Sequence, residues 1–214
     1  MNTEALRTVA ATYGTPTYIF DVREVEARIR LLRSLLPEDT GLCFAVKANP
    51  FLIPYVADLV DRLEVCSPGE YEICIQEQIA PEKIVVSGVN KTYESMKRIL
   101  SYSKGAGIYT IESEEHAKIL RTLAEKNQMP LSVLIRLSSG NQFGVDAETF
   151  LRLAKEIQES PYLTLAGVHY YAGTQKRQSK LEKELDTLTA FAKTFEEETG
   201  TVLNELEYGA GMKV

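Results

Sequence analysis

The sequence predicts an α/β protein of the (β/α)8 TIM-type barrel class that is incomplete after its seventh strand. Short apolar runs alternate seven times with amphipathic helical segments, which is the pattern of parallel strands covered by helices. Successive strands begin roughly 20 to 40 residues apart, as right-handed crossovers require. An open doubly wound sheet would share this pattern, but no Gly-x-Gly-x-x-Gly follows the first strand, which favours the barrel.

Residues 1–36 precede the barrel and are expected to form an opening strand and a helix. Residues 18–20 are a short β-like run, and an apolar stripe predicts a helix over residues 22–36. The stripe consists of Val25, Ile29, Leu32 and Leu36.

Residues 37–214 are assigned to the barrel itself. The apolar runs of strand length are residues 42–46, 63–66, 84–86, 107–111, 131–137, 163–171 and 203–208. The helical segments after the first six runs are residues 51–60, 68–79, 93–102, 114–126, 147–158 and 180–199. Ser67 is expected to cap the second of these helices, with Glu70 completing a capping box. No eighth strand follows the seventh, so we expect a truncated barrel, as a fragment or as a chain that lacks a partner segment.

Composition excludes several classes of function. The 214 residues carry a net charge of −6, and 44% are hydrophobic and 25% charged, as in an ordinary globular domain. Basic residues are spread along the chain, so no nucleic-acid partner is expected. Neither a membrane span nor a secretory signal is predicted. Three scattered cysteines and two histidines suit a reducing cytoplasm and predict no metal site.

The first candidate for chemistry is Lys47, because functional groups in such barrels lie where strands end. Lys47 interrupts an apolar segment directly after the first strand. A desolvated lysine loses proton affinity and becomes a better nucleophile, as a Schiff base with an aldehyde cofactor requires. A lysine that merely reaches solvent from the strand end is the structural alternative.

Two further strand ends carry groups that suit a flat, phosphorylated cofactor. The sixth strand leads into residues 169–175, HYYAGTQ, where aromatic and imidazole groups can stack on a ring and Thr174 can bond a phosphate oxygen. The seventh leads into Gly209-Ala210-Gly211, whose backbone N–H groups can approach a phosphate closely. Packing at the barrel top and an ordinary glycine turn are the structural alternatives. Together with Lys47 these groups match the requirements of pyridoxal phosphate.

In combination and in this order, the motifs resemble those of the fold-type III pyridoxal-phosphate decarboxylases. This is the family of diaminopimelate, ornithine and arginine decarboxylases, whose barrel is alanine racemase-like. Residues 44–49, FAVKAN, are similar to the family's cofactor-lysine motif. The other matching segments are residues 14–21, 64–70, 142–144, 171–175 and 209–211.

The resemblance implies a role for each residue that holds the cofactor. Lys47 would form the Schiff base with pyridoxal 5′-phosphate, and Glu64 would lie near both. Thr174 and the backbone of residues 209–211, including Ala210, would bind the phosphate.

One position departs from the family pattern. Tyr171 stands where the best-known members have the histidine that stacks on the cofactor ring. His169 is also included among the cofactor contacts, but it precedes Tyr171 by two residues and is expected to point elsewhere along a regular strand.

For the whole protein, the resemblance implies a cytoplasmic, homodimeric lyase that decarboxylates an amino acid of the diaminopimelate or ornithine type, or one tethered to a carrier protein. The family's eighth strand and C-terminal β domain are expected to be absent from these 214 residues, and the chain alone is expected to be inactive. An amino-acid racemase of the same fold and a non-enzymatic pyridoxal-phosphate homeostasis protein remain as alternatives.

Overall fold

A computed structural model describes residues 2–212, in which eight α-helices alternate with seven strands. Two helices precede the sheet, α1 (Thr3–Tyr13) and α2 (Val22–Leu35). The strands are β1 (Cys43–Ala45), β2 (Arg62–Val65), β3 (Ile84–Val86), β4 (Ile108–Ile111), β5 (Leu131–Arg136), β6 (Leu163–Tyr171) and β7 (Glu205–Gly209). The helices between them are α3 (Ile53–Val56), α4 (Pro68–Gln76), α5 (Tyr93–Ser103), α6 (Glu114–Asn127), α7 (Ala147–Gln158) and α8 (Gln178–Thr199).

The seven strands form one parallel sheet in the order of the sequence, from β1 to β7. The sheet curls into a partial barrel. The curl is evident from the ion pair between Arg62 on β2 and Glu205 on β7. Within the described residues, β1 pairs only with β2, and β7 only with β6. The seven parallel strands and the incomplete closure confirm the predicted fold.

The core lies inside the curled sheet and between the sheet and its helices. The strands β3 and β4 are fully buried, as expected for parallel strands with both faces covered. On the outer layer, the ring of Phe150 on α7 packs edge-on against Phe191 and Phe195 of α8, with centroids 5.0 and 5.5 Å apart. This aromatic cluster packs α8, the longest helix of the described residues, against α7.

Side-chain caps define where most helices begin. In six of them a short polar side chain accepts a hydrogen bond from a backbone N–H of the first turn. These caps are Asn2, Asp21, Ser67, Thr92, Ser113 and Asp146. The predicted cap at Ser67 is confirmed, but the Glu70 carboxylate accepts from the N–H of Cys66, one residue before the expected partner.

The structure corrects the sequence analysis at three segments. Residues 18–20 form no strand, because no strand within residues 2–212 lies alongside to pair with their backbone, and Tyr18 is 92% exposed. Helix α1 was not predicted. The helix expected over residues 51–60 is reduced to a 3-10 turn and α3, because the N–H groups of Leu59 and Val60 both bond back to Val56 O and close the helix there. In the described residues, no helix combines the length and apolarity needed to cross a membrane.

Candidate active site

Lys47 lies in a 3-10 turn directly after β1, at the carboxyl end of the strands. Its Nζ is 5.5 Å from the centre of the Tyr171 ring, which stands at the end of β6. The predicted partners from the first and sixth strands are therefore brought together. The geometry is that of a cation held over an aromatic ring face.

The pKa of Lys47 is raised, not lowered as the sequence analysis expected. Burial does lower it, but the carboxylate of Glu64, followed by Cys66 and Tyr171, raises it by more. Lys47 is also exposed, so its desolvation is incomplete. A nearby negative charge favours the ammonium form, and this interaction outweighs burial here.

Glu64 lies inside the barrel on β2 and remains a carboxylate. Ser87 Oγ donates a hydrogen bond of 2.5 Å to Glu64 Oε1, and His169 Nε2 lies 3.6 Å from the same oxygen. Burial raises the pKa of Glu64, but contacts with His169 and Ser87 and the charge of Lys47 lower it to about 2. Glu64 thus carries the negative charge of the site.

His169 shares the inner face of the barrel with Tyr171, so the expectation that it points elsewhere is wrong. Side chains two residues apart on a strand lie on the same face. His169 is 4% exposed and faces Glu64. It therefore lies one layer deeper than Tyr171.

Glu207 is a half-buried acid that the sequence analysis missed, and its Oε2 is buried. One ligand atom each from Glu64, His169 and Glu207 lie within 4.8 Å of one another, a donor set that could hold a divalent cation. Burial, with the charges of Glu64 and Glu205, raises the pKa of Glu207 to about 7. The available signal was a charged residue inside a strand predicted to be buried.

The loop after β7 has room only for glycine at two places. A Cβ on Gly209 would lie 2.5 Å from Tyr171 Cδ2, and one on Gly211 would collide with the carbonyl oxygen of Gly173. Gly211 also has a φ of +55°, which favours glycine. The loop therefore lies directly against the segment that carries Thr174, an exposed residue. The two predicted phosphate-binding segments are adjacent, and a backbone cradle of this kind fits an anion.

A second charged network lies deeper among β3, β4 and β5. The Glu112 carboxylate accepts a hydrogen bond from Arg136 Nη1 at 2.6 Å and pairs with Lys91 Nζ at 3.4 Å. Burial lowers the pKa of Lys91 to about 8. Arg136 continues toward the polar loop of residues 138–144, with its guanidinium 5.2 Å from the Phe143 ring. This network was not predicted, because its members are far apart in the sequence.

An amine, an aromatic ring, a carboxylate and an anion cradle therefore meet at one end of the barrel. This set fits a flat aldehyde that carries a phosphate group.

Comparison with known proteins gives an independent result. The family model described as "Pyridoxal-dependent decarboxylase, pyridoxal binding domain" matches residues 22–214. A diaminopimelate decarboxylase of Actinosynnema pretiosum subsp. auranticum is 33% identical over 195 residues, which cover 82% of this chain and 43% of the relative. Another, of Pseudomonas aeruginosa, is 32% identical over 202 residues, covering 86% and 48%. The chain thus spans about half the length of these curated relatives.

Solved structures share the fold. A lysine/ornithine decarboxylase of Vibrio vulnificus complexed with putrescine superposes with a TM-score of 0.85 at 18% identity, over 99% of this chain and 57% of that one. A protein described as SrLDC in complex with PLP and cadaverine gives a TM-score of 0.82 at 22% identity, over 100% and 55%. At these identities the likeness establishes the fold alone.

Proposed function

Because the chain belongs to the pyridoxal-dependent decarboxylase family through its pyridoxal-binding domain, we propose that it holds pyridoxal 5′-phosphate on Lys47 for the decarboxylation of an amino acid. The observation that carries this proposal is the position of Lys47 Nζ over the Tyr171 ring, 5.5 Å from its centre. An amine beside an aromatic face is what the aldehyde and the ring of this cofactor require.

Each remaining residue has a part in holding the cofactor. Lys47 Nζ would hold the aldehyde carbon through condensation with loss of water, and Tyr171 would pack against the ring. The Thr174 hydroxyl and the N–H groups of the loop at residues 209–211 bind the phosphate. When bound, pyridoxal phosphate supplies an electron sink for the electron pair of a bond that breaks at Cα of an amino acid.

The acid–base work of this chain centres on Glu64. Its carboxylate stabilises the ammonium form of Lys47 before attachment, because opposite charges lie close together. His169 and Ser87 hold Glu64 in place from the other side. Glu64 thus keeps a fixed negative charge beside the amine and does not take up its proton.

The names of the relatives support decarboxylation over the alternatives. The two curated relatives and the Vibrio vulnificus structure described above are named decarboxylases of diaminopimelate, lysine or ornithine. We therefore propose a substrate of this class, an amino acid with a second charged group at its far end. No observation favours a racemase or a cofactor carrier. A homodimer in the cytoplasm accompanies the proposal, on the family resemblance.

Mapping of the cofactor attachment tests the proposal. The purified full-length protein is mixed with pyridoxal phosphate, its absorbance is recorded, and the adduct is reduced with borohydride and located by peptide mapping. We expect the label on Lys47 and none in Lys47→Ala. Release of CO2 is then measured with diaminopimelate, ornithine and lysine. A label on a different lysine, or no label, would refute the assignment of Lys47. Racemisation of the amino acid without CO2 release would refute decarboxylation and favour a racemase.

A further inference from the structure

The buried side chain of Lys176 lies beside the loop that follows β7. Lys176, at the end of the segment that follows β6, is only 4% exposed. Its Nζ donates to Glu184 Oε2 on α8 at 2.7 Å and to Gly209 O at 3.2 Å. Tyr208 Oη lies 3.4 Å from the same nitrogen and donates to Glu184 Oε2 at 2.7 Å. Lys176 thus joins three elements at the candidate phosphate site.

Lys176 binds this loop through two of its carbonyl groups. The ammonium binds Gly209 O, and the backbone N–H of Lys176 donates to Gly211 O at 2.9 Å. In a planar trans peptide, the carbonyl and the following N–H point in opposite directions. The N–H groups of Ala210 and Met212 therefore face away from Lys176. The contacts of Lys176 determine which way the donors of the loop point.

The charge of Lys176 also strengthens one of these donors. An ammonium bound to a carbonyl oxygen polarises the peptide unit, and a polarised unit is a better N–H donor. The Gly209–Ala210 peptide has this arrangement, with Nζ on its oxygen side. An anion on the opposite side would meet a donor that is both oriented and polarised.

Packing alone does not explain the buried ion pair between Lys176 and Glu184. Burying an ammonium and a carboxylate is costly, and an apolar pair of similar size often serves stability equally well. Glu184 is 8% exposed, and its contact with Lys176 lies at the barrel end that carries Lys47 and Tyr171. Lys176 Nζ is also 6.0 Å from the centre of the Tyr171 ring, which is the same ring that Lys47 faces.

We propose that Lys176 is a positioning residue for the cofactor phosphate, and that with Glu184 and Tyr208 it orients the backbone donors of residues 209–212 toward that group. The inference rests on the proposed function. Lys176 contacts the carbonyl side of the loop at residues 209–211 and would act on the phosphate through the backbone of that loop.

The test compares pyridoxal phosphate with pyridoxal, which has the same aldehyde and no phosphate. Dissociation constants are measured from the absorbance of the Lys47 adduct in the full-length protein and in Lys176→Met. We expect Lys176→Met to weaken pyridoxal phosphate binding about tenfold, as loss of a charge-assisted contact implies, and to leave pyridoxal binding unchanged. Lys180→Met is the matched control, because Lys180 is exposed and lies 3.9 Å from the same carboxylate; both constants should stay unchanged in it.

The ratio of the two constants separates positioning from a purely structural role. If Lys176→Met weakens both ligands equally, or neither, the inference is overturned. Glu184→Gln preserves the side-chain shape and provides the same comparison if Lys176→Met does not fold. Like Lys176→Met, it should lower the ratio of the pyridoxal dissociation constant to the pyridoxal phosphate dissociation constant. Absence of any Lys47 adduct in the unmodified protein would refute the proposed function, and the inference with it, whereas a normal adduct with an unchanged ratio would refute the role of Lys176 alone.

Discussion

The Lys47 ammonium lies 5.5 Å from the centre of the Tyr171 ring, although Lys47 follows β1 and Tyr171 is the last residue of β6. The curl of the sheet brings them together. The tyrosine supplies an aromatic face but carries no imidazole charge, so its contribution to a bound ring is stacking alone.

The first prediction concerns Tyr171. Replacement of Tyr171 by alanine removes the ring face and should weaken pyridoxal phosphate binding about tenfold, because aromatic stacking is worth on the order of 1 kcal/mol beyond the area it buries. The measurement is a titration of the Lys47 adduct by absorbance. Tyr171→Phe is the control and should bind within about twofold of the unmodified protein, since stacking does not need the hydroxyl. Equal losses in both variants would mean that the hydroxyl, and not the ring, is used.

The second prediction concerns Glu64 and the pKa of Lys47. Glu64→Gln removes the carboxylate, which is the largest influence raising this pKa, so the pKa should fall. The pH at which the adduct begins to form rapidly should then shift down, because the neutral amine attacks the aldehyde. Rates of adduct formation are followed by stopped-flow absorbance between about pH 8 and 11, a range that includes the ordinary pKa of lysine.

Ser87→Ala is the matched control for Glu64→Gln. It deletes the 2.5 Å hydrogen bond to Glu64 but keeps the carboxylate, so most of the effect on Lys47 should persist. A pH profile of Glu64→Gln that coincides with that of the unmodified protein would show that Glu64 does not act on Lys47.

The strands could be predicted because a parallel barrel strand is buried on both faces and appears as an apolar run. The motifs at the strand ends singled out Lys47 and the loop at residues 209–211 because functional groups in such barrels lie where the strands end. The prediction of a strand at residues 18–20 was wrong, since a β-like run becomes a strand only when a neighbouring strand pairs with it.

The family resemblance places Glu64 near Lys47, but the way the charges around the site pair with one another could not be predicted. Glu64, His169 and Glu207 come from β2, β6 and β7, and only the curl of the sheet determines which of them meet. The direction of the Lys47 pKa shift depends on the balance between burial and Glu64, and that balance depends on distances. Lys176 lacked a sequence signal because its partners, Glu184 and Gly209, lie on elements that the motif analysis treated separately.

The third prediction concerns the loop after β7. Gly211→Ala should lower the free energy of unfolding by about 2 kcal/mol or more and weaken phosphate binding, because a Cβ would collide with Gly173 O and φ is positive. Gly200→Ala is the control: its φ is +68°, but nothing lies within 4 Å of the added atom. It should cost only about 1 kcal/mol. Urea unfolding measures both, and equal losses would mean that the loop can move away from Gly173.

The fourth prediction concerns the half-buried acid Glu207. Its pKa is about 7 in the folded protein against an ordinary value of 4.5, raised by burial and by Glu64 and Glu205, while His169 and Arg62 oppose the shift. The folded state therefore binds this proton more tightly than the unfolded chain. The resulting stability is fully present below about pH 4.5 and is lost as the pH rises through 7.

Glu207→Gln cannot ionise, so it should gain stability relative to the unmodified protein as the pH rises from 5 to 8, by about 2 kcal/mol over these roughly three units. The measurement is the free energy of urea unfolding at each pH, and the change with pH is decisive because any constant offset reports only packing. Glu182→Gln, on the exposed surface of α8, should show no such change. If the difference between Glu207→Gln and the unmodified protein is the same at pH 5 and pH 8, Glu207 ionises normally in the fold and the raised pKa is refuted.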